Sequence, residues 1–414
     1  MYGSEKDIRH NLKVFFIDGV SFMPSMALIS ITSVIPYFLD ELGATTFQIA
    51  LAASLALICC LLPQPVFGFI ASKSVMMHIT FGKILLLQRF IFLAFVLLIP
   101  LLAWSNALLI NVFLVFWGIF NVFVGSYSVF FTPLVIRLLP PDRRGSIRGI
   151  GLAIGSFLGV GMSALIPVIL ERILFPYNYM VIFLIGLFFL LVNATFFFFM
   201  RQSKDAVPNE PMGMKRYIKL MPSSLKESPS FRAMVITCTF LAIANSLLAY
   251  YTLYAIREFY ATEAHIAALT GLAVFSAAIA HVAFGYLVDR YGPRFIALIA
   301  ACLVAVSGVM ALTTNSLNLL FVAWVFANLS NSAYPLIAAL LAGEVSPPSK
   351  LPLYVGVQTT ISLAISAVIV LVLAPVLENL GFAPLFATVL ICGLLSFAIN
   401  AFILKKRMAQ QEKT

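Results

Sequence analysis

The sequence predicts an all-α polytopic membrane protein whose twelve transmembrane helices form two pseudo-symmetric six-helix bundles, with both termini cytoplasmic. Composition is the first reason. Of 414 residues, 62% are hydrophobic and 10% charged, and the mean hydropathy is +1.04. So few polar side chains cannot cover a water-exposed surface. The second reason is the apolar runs of about 20 residues, long enough to cross a hydrocarbon core of about 30 Å, that repeat from end to end. No segment alternates apolar and polar residues as a membrane barrel requires, so the crossings are helices. The third reason is where the basic residues fall.

In chain order the expected spans cover roughly 14–39, 46–71, 82–103, 107–138, 149–171, 176–200, 232–257, 264–288, 294–314, 317–342, 353–377 and 383–404. With both termini inside, all of the 26 Lys and Arg except Arg89, Arg172 and Arg257 lie on the cytoplasmic side. That asymmetry obeys the positive-inside rule and would collapse if one helix were missed. The net charge of +10 is therefore a topology signal and implies no nucleic acid partner. The apolar run after Lys13 is too long for a cleavable signal and lacks a small-residue cleavage site, so it is the first span. Cys59, Cys60, Cys238, Cys302 and Cys392 all fall inside spans without metal-ligand spacing and read as small packing residues. No cofactor or metal is expected.

The polar stretch 201–231, with Pro208, Pro211, Pro222 and Pro229, separates an N-terminal bundle over 1–200 from a C-terminal bundle over 232–414. Within it Met214–Leu220 reads either as a basic amphipathic helix against the anionic inner leaflet or as solvated linker. The bundles repeat. Gln64–Ser72 at the end of span two aligns with His281–Asp289 at the end of span eight, and Thr132–Leu139 in span four with Tyr334–Leu341 in span ten.

Gly285-Tyr-Leu-Val-Asp289-Arg290-Tyr-Gly292-Pro-Arg294 is a charged turn between two apolar runs. With the twelve spans, the 6+6 repeat, the basic central loop and Pro140-Pro-Asp-Arg143-Arg144-Gly145-Ser-Ile-Arg148-Gly149, it resembles the major facilitator superfamily along the whole chain, in particular its bacterial drug-efflux permeases. The resemblance implies that spans one, four, seven and ten line a central cavity and that the halves rock about a midplane site. It also implies a cytoplasmic gate of Gly285, Asp289, Arg290, Gly292, Arg294, Arg143 and Arg144, in which Asp289 pairs with basic groups or helix N-termini when the inner side is closed. The chain departs from the family pattern in three places. Ser72 stands where the first-half signature usually has Asp, and span four lacks a mid-helix Arg around Trp117–Asn121. Gly151, Gly155 and Gly159 match the antiporter motif only in part and read more safely as a close-packing ridge.

Ionisable residues inside spans are costly and therefore candidates for transport. Asp18 begins a polar face of span one continued by Ser21, Ser25 and Thr32. It reads either as the acceptor of a proton or cationic substrate, or as an interfacial acid favoured by the helix dipole. Arg89 on span three either snorkels to the inner headgroups or pairs within its own half. His281 in span eight can relay a proton or serve as a hydrogen-bonded structural histidine. Polar faces on the other cavity helices add Asn121 and Ser128, Asn245, and Asn328 and Asn331, and span seven adds Tyr250 and Tyr254; each can contact substrate or simply pack. Pro133 and Pro335 are expected to kink spans four and ten.

Lacking Arg or Lys in the middle of the cavity helices, the chain is expected to carry an uncharged or cationic amphiphile. The expected function is proton-coupled export of a small amphiphilic or drug-like molecule by alternating access, by a monomer in the plasma (inner) membrane among its lipids. Alternatives are an uptake permease or lipid flippase of the same fold, or a non-transporting sensor. No enzyme is expected, because Asp18 and His281 lack companions at one depth. No phosphate-binding Gly-x4-Gly-Lys-Ser/Thr loop occurs for ATP-driven pumping.

Overall fold

The computed structural model describes residues 4–202, 225, 228–345 and 351–411. Among them every regular element is helical. The first half holds α1 (Glu5–Leu28), α2 (Val34–Glu41), α3 (Thr46–Leu61), α4 (Gln64–Lys73), α5 (Met77–Leu102), α6 (Asn106–Val124), α7 (Ser126–Leu138), α8 (Pro141–Ser163), α9 (Leu165–Arg172) and α10 (Tyr177–Phe196). The second half holds α11 (Pro229–Ser246), α12 (Leu248–Phe259), α13 (Glu263–Tyr291), α14 (Pro293–Thr313), α15 (Leu317–Val345), α16 (Leu351–Leu380) and α17 (Ala383–Gln411). Ten segments among the described residues are long and apolar enough to cross a membrane, and they coincide with the third to twelfth expected spans. The first expected span is divided between α1 and α2, and the second between the 16-residue α3 and α4. The basic segment 214–220 lies outside the described residues.

Helix starts follow from local chemistry. Thr45 and Gln48 form a reciprocal capping box at α3, with Thr45 N donating to Gln48 Oε1 at 2.9 Å and Gln48 N to Thr45 Oγ1 at 3.2 Å. Ser228 accepts from Phe231 N at 3.2 Å, and Pro229 occupies the first position of α11, where a missing N–H costs nothing.

Several spans are interrupted. In spans one and five a proline stands at the third position of the second piece, Pro36 in α2 and Pro167 in α9, preceded by hydroxyl residues. A proline donates no N–H and crowds the carbonyl four residues back, while Ser30, Thr32 and Ser33 bond one another and Ser163 bonds Val160 O at 2.7 Å. Thr32 thus leaves the regular face that begins at Asp18. Pro24, Pro100, Pro335 and Pro375 by contrast sit inside continuous helices, so α15 runs unbroken through Pro335. Span four breaks at Gly125, eight residues before Pro133, where a Cβ would lie 2.1 Å from Cys60 O. Span seven breaks at Leu247, where Leu247 N bonds Ala244 O and Tyr250 N bonds Leu247 O in tighter turns.

The chain forms two compact units, Met1–Met214 with Thr262–Phe275, and Lys215–Ala261 with Ser276–Thr414. The start of α13 thus clusters with the first unit. Aromatic rings fill the first unit's core: Phe38, Phe92, Phe95, Phe113, Phe183 and Tyr179 are fully buried and pack in edge and tilted pairs. Small residues instead bring helices close. In the first unit α1 packs on α8, where Cβ atoms added to Gly151 and Gly155 would lie 2.7 Å from Phe16 O and 2.5 Å from Gly19 O. The expected glycine ridge is therefore the α1–α8 seam. In the second unit Gly308 and Gly393 do the same for α14 and α17, each Cβ falling 2.7 Å from a backbone nitrogen of the facing helix.

Candidate transport site

A buried polar cluster joins four expected spans of the first unit. Asp18 on α1 is 3% exposed. Its Oδ1 accepts from Asn193 Nδ2 on α10 at 2.6 Å and from Tyr127 OH on α7 at 3.2 Å. Arg89 on α5, also 3% exposed, donates from Nη2 to Asn193 Oδ1 at 3.2 Å and from Nε to Leu190 O at 3.3 Å. Its Nη1 donates to Gln88, whose amide in turn donates to Phe120 O at 2.9 Å. Asn193 thus bridges the acid and the guanidinium, and Arg89 pairs within its own half and does not snorkel. An acid, a cation and two amides in an apolar bundle form a network in which every member depends on its neighbours.

The other candidates on span one turn back on their own helix. Ser21 Oγ bonds Ile17 O at 2.7 Å and Ser25 Oγ bonds Phe22 O at 2.5 Å. Asn121 and Asn328, in corresponding spans, each bond the carbonyl of a tryptophan one turn earlier, Trp117 at 2.8 Å and Trp324 at 2.9 Å. Asn331 is half-buried. Tyr250 is buried with its hydroxyl on Val370 O at 2.8 Å, and Tyr254 packs edge-on or tilted against Phe259, Phe382 and Phe386. His281 lies on an exposed face of α13. The side chain of Ser128 lies outside the described residues.

Asn245 is different. It is 8% exposed at the end of α11, beside the break in span seven, and neither its Nδ2 nor its Oδ1 has a hydrogen-bond partner among the described residues. A buried amide with both ends unsatisfied carries a desolvation cost of about 1–3 kcal/mol per group, which a bound polar group would relieve. Also in the second unit, Gln358 Nε2 bonds Tyr334 OH and Ser362 Oγ at 3.0 Å each, and Ser362 meets Thr239 Oγ1 at 3.0 Å. Sequence reasoning missed Tyr127, Asn193 and the Gln358 chain. Asn193 was visible only as an amide inside an apolar run, and nothing local marks its partner.

The charged turn is as tight as its residues suggest. α13 ends at Tyr291, α14 starts at Pro293, and Gly292 alone makes the turn at φ +79°, in the left-handed region that favours glycine. Gly285 has no such demand, since an added Cβ would meet nothing within 4 Å. Arg290 is exposed over the Tyr291 ring. Arg294 is 7% exposed, and its Nε donates to Glu344 Oε2 of α15 at 2.8 Å, while Asn400 Nδ2 of α17 holds its carbonyl at 3.0 Å. Arg294 therefore ties three helices of one unit. The side chains of Asp289, Arg143 and Arg144 lie outside the described residues. Glu344→Gln is expected to lower stability by about 1.5–3 kcal/mol, the worth of a charge-assisted hydrogen bond, read as a lower melting temperature in detergent.

At the far end of the first unit, Tyr179 OH bonds Glu41, Tyr37 OH bonds Glu263 Oε1 at 3.0 Å and Ser33 meets Thr270 Oγ1 at 2.7 Å. Burial raises the Glu41 carboxyl above its ordinary value, the Tyr179 hydrogen bond opposes this, and the Glu263 charge adds to it.

The architecture is that of a multi-pass helical membrane protein. Residues 233–414 match the sequence model of the Major Facilitator Superfamily. Among solved structures, the human organic anion transporter MFSD10 (TETRAN) is similar with a TM-score of 0.65 at 15% identity, over 95% of this chain and 99% of that one. A bacterial homolog of the human lysosomal transporter Spinster, crystallised inward-facing and unoccupied, is similar with a TM-score of 0.59 at 15% identity, over 97% and 96%. No curated protein matches the chain. The sequence match covers residues 233–414, and the likeness to these solved structures extends over nearly the whole chain and shows that it shares their fold.

Proposed function

We propose that this protein is a proton-coupled exporter of small, uncharged or cationic amphiphiles in the plasma membrane, with Asp18 as the proton site. The observation that carries the reading is the buried Asp18 cluster. A carboxylate is an acceptor only, and both described donors to Oδ1 come from other helices, α10 and α7. Protonation turns one oxygen into a donor and weakens those bonds, so the attachment of α1 to its neighbours depends on the proton. That is the differential interaction a coupling ion needs to shift an equilibrium between two states. The unsatisfied Asn245 supports a polar anchor for substrate at the discontinuity of span seven, where broken helices commonly bind cargo. The Tyr254 aromatic group and the methionines Met23 and Met26 supply adaptable apolar surface. In this reading Asp289 forms an inner latch.

Asp18→Asn in proteoliposomes is expected to abolish transport driven by a pH gradient while leaving downhill exchange of substrate. Full gradient-driven transport by the variant would remove Asp18 from coupling. A compound library screened by thermal shift on purified protein identifies the substrate for that assay, since a ligand bound by the folded state raises its melting temperature.

A further inference from the structure

The first ten residues of α1 and the end of the sixth expected span enclose an open cavity of about 490 Å³ lined by Glu5, Lys6, Arg9, His10, Lys13 and Arg201. We propose that this cavity binds the phosphate-bearing headgroup of an anionic phospholipid. Lys6, Arg9, His10 and Lys13 stand at i, i+3, i+4 and i+7, one stripe of a helix, so the basic face follows from periodicity. Arg201 faces this stripe from a segment that is pinned in place. Asn11, 2% exposed, donates from Nδ2 to Arg201 O and accepts from Arg201 N, both at 2.9 Å, and His10 Nε2 meets Phe199 O at 2.7 Å. The wall carrying Arg201 is therefore built, and its position does not depend on a floating side chain.

Charge selects the ligand. Four cationic side chains and one carboxylate line the cavity, and the acids nearby are already engaged. Glu5 Oε1 holds Arg9 Nε at 3.2 Å, and Asp7 Oδ1 holds Arg201 Nη1 at 3.1 Å. The Ser4 hydroxyl first, and Arg201 after it, hold the Asp7 carboxyl below its ordinary value, so it stays ionised and orients Arg201. Like charges gathered around one cavity repel each other, and an anion among them removes that penalty. Position selects the source. The stripe ends at Lys13, where the first span begins, so the cavity sits at headgroup depth on the basic-rich side, where anionic lipids concentrate. The volume falls in the range of small-ligand pockets and is ample for a glycerophosphate group.

The test compares the full-length protein in nanodiscs of phosphatidylcholine with nanodiscs containing phosphatidylglycerol, and with detergent solution containing inorganic phosphate. Phosphatidylglycerol is expected to raise the melting temperature and to remain bound through delipidation, as counted by native mass spectrometry. Each cation removed should weaken binding about fivefold, so Lys6→Gln with Lys13→Gln should lose about 25-fold. Glu5→Gln should strengthen binding about fivefold, a gain that a misfolded variant cannot imitate. Equal retention of phosphatidylglycerol by the native protein and all these variants would overturn the site. A shift produced by inorganic phosphate and not by phosphatidylglycerol would overturn the lipid as its ligand. Transport in phosphatidylcholine alone does not enter either outcome, so the result is independent of the proton site at Asp18.

Discussion

Gly155→Leu is expected to abolish the folded first unit, and Gly155→Ala to weaken it by about 3 kcal/mol or more, the upper end of the usual cost of overpacking. The reason lies in what the new atoms meet. A Cβ at position 155 would lie 2.5 Å from Gly19 O and 2.9 Å from Val20 O, and both are backbone atoms of a helix that cannot step aside without dragging its neighbours. Gly19 faces the same seam, where its own Cβ would fall 2.8 Å from Leu152 N. Gly161→Ala, on the same helix, is the matched control, because nothing lies within 4 Å of its Cβ. It should be neutral or slightly stabilising, since alanine is the better helix former. Thermal unfolding of the purified proteins reads the difference. Equal melting temperatures for Gly155→Ala and Gly161→Ala would show that α1 and α8 are not in the contact described.

Arg89→Met is expected to cost about 3–5 kcal/mol, the penalty for removing one partner from a buried charged network. The substitution keeps the length of an apolar stem but strips the donors from Asn193 Oδ1, Leu190 O and Gln88 Oε1. It also leaves Asp18 as a buried acid without the guanidinium whose charge acts on it. Lysine is not an adequate replacement, because a single ammonium cannot reach three acceptors in the fixed fork that a guanidinium presents. Adding Asp18→Asn to Arg89→Met should restore part of the loss, since the orphaned charge then disappears. A double-mutant cycle on melting temperature measures this coupling. Strict additivity of the two single losses would mean that acid and cation do not share a network.

The sequence showed the apolar runs clearly, and the third to twelfth expected spans are matched by apolar helical segments. The glycine ridge was legible because small residues at four-residue spacing serve few other ends, and the one-residue turn at Gly292 because a charged Gly-Pro step between apolar helices has few foldings. The interruptions at Pro36 and Pro167 had local signals in proline and hydroxyl residues, whereas the break at Leu247 had none. Prolines inside α1, α5, α15 and α16 show why a proline by itself was a poor guide.

The candidate site was only half legible. Asp18 and Arg89 stood out because charges within membrane spans are costly. Their link could not be read, because Asn193 lies more than a hundred residues from either and looks like any amide in an apolar run. In the same way Asn121 and Asn328 promised a polar path yet spend their amides on their own helices, while Asn245 spends neither end.

Composition and the length of the apolar runs alone determined that this chain is a helical membrane protein, because burial in lipid leaves the backbone few options. Only the tertiary structure decided which polar side chains meet. Helices that are apolar all round carry little periodicity to say which face turns to which neighbour, so the partners of Asp18 and Arg89, and the lack of a partner for Asn245 among the described residues, are set by packing between helices and not by any local pattern.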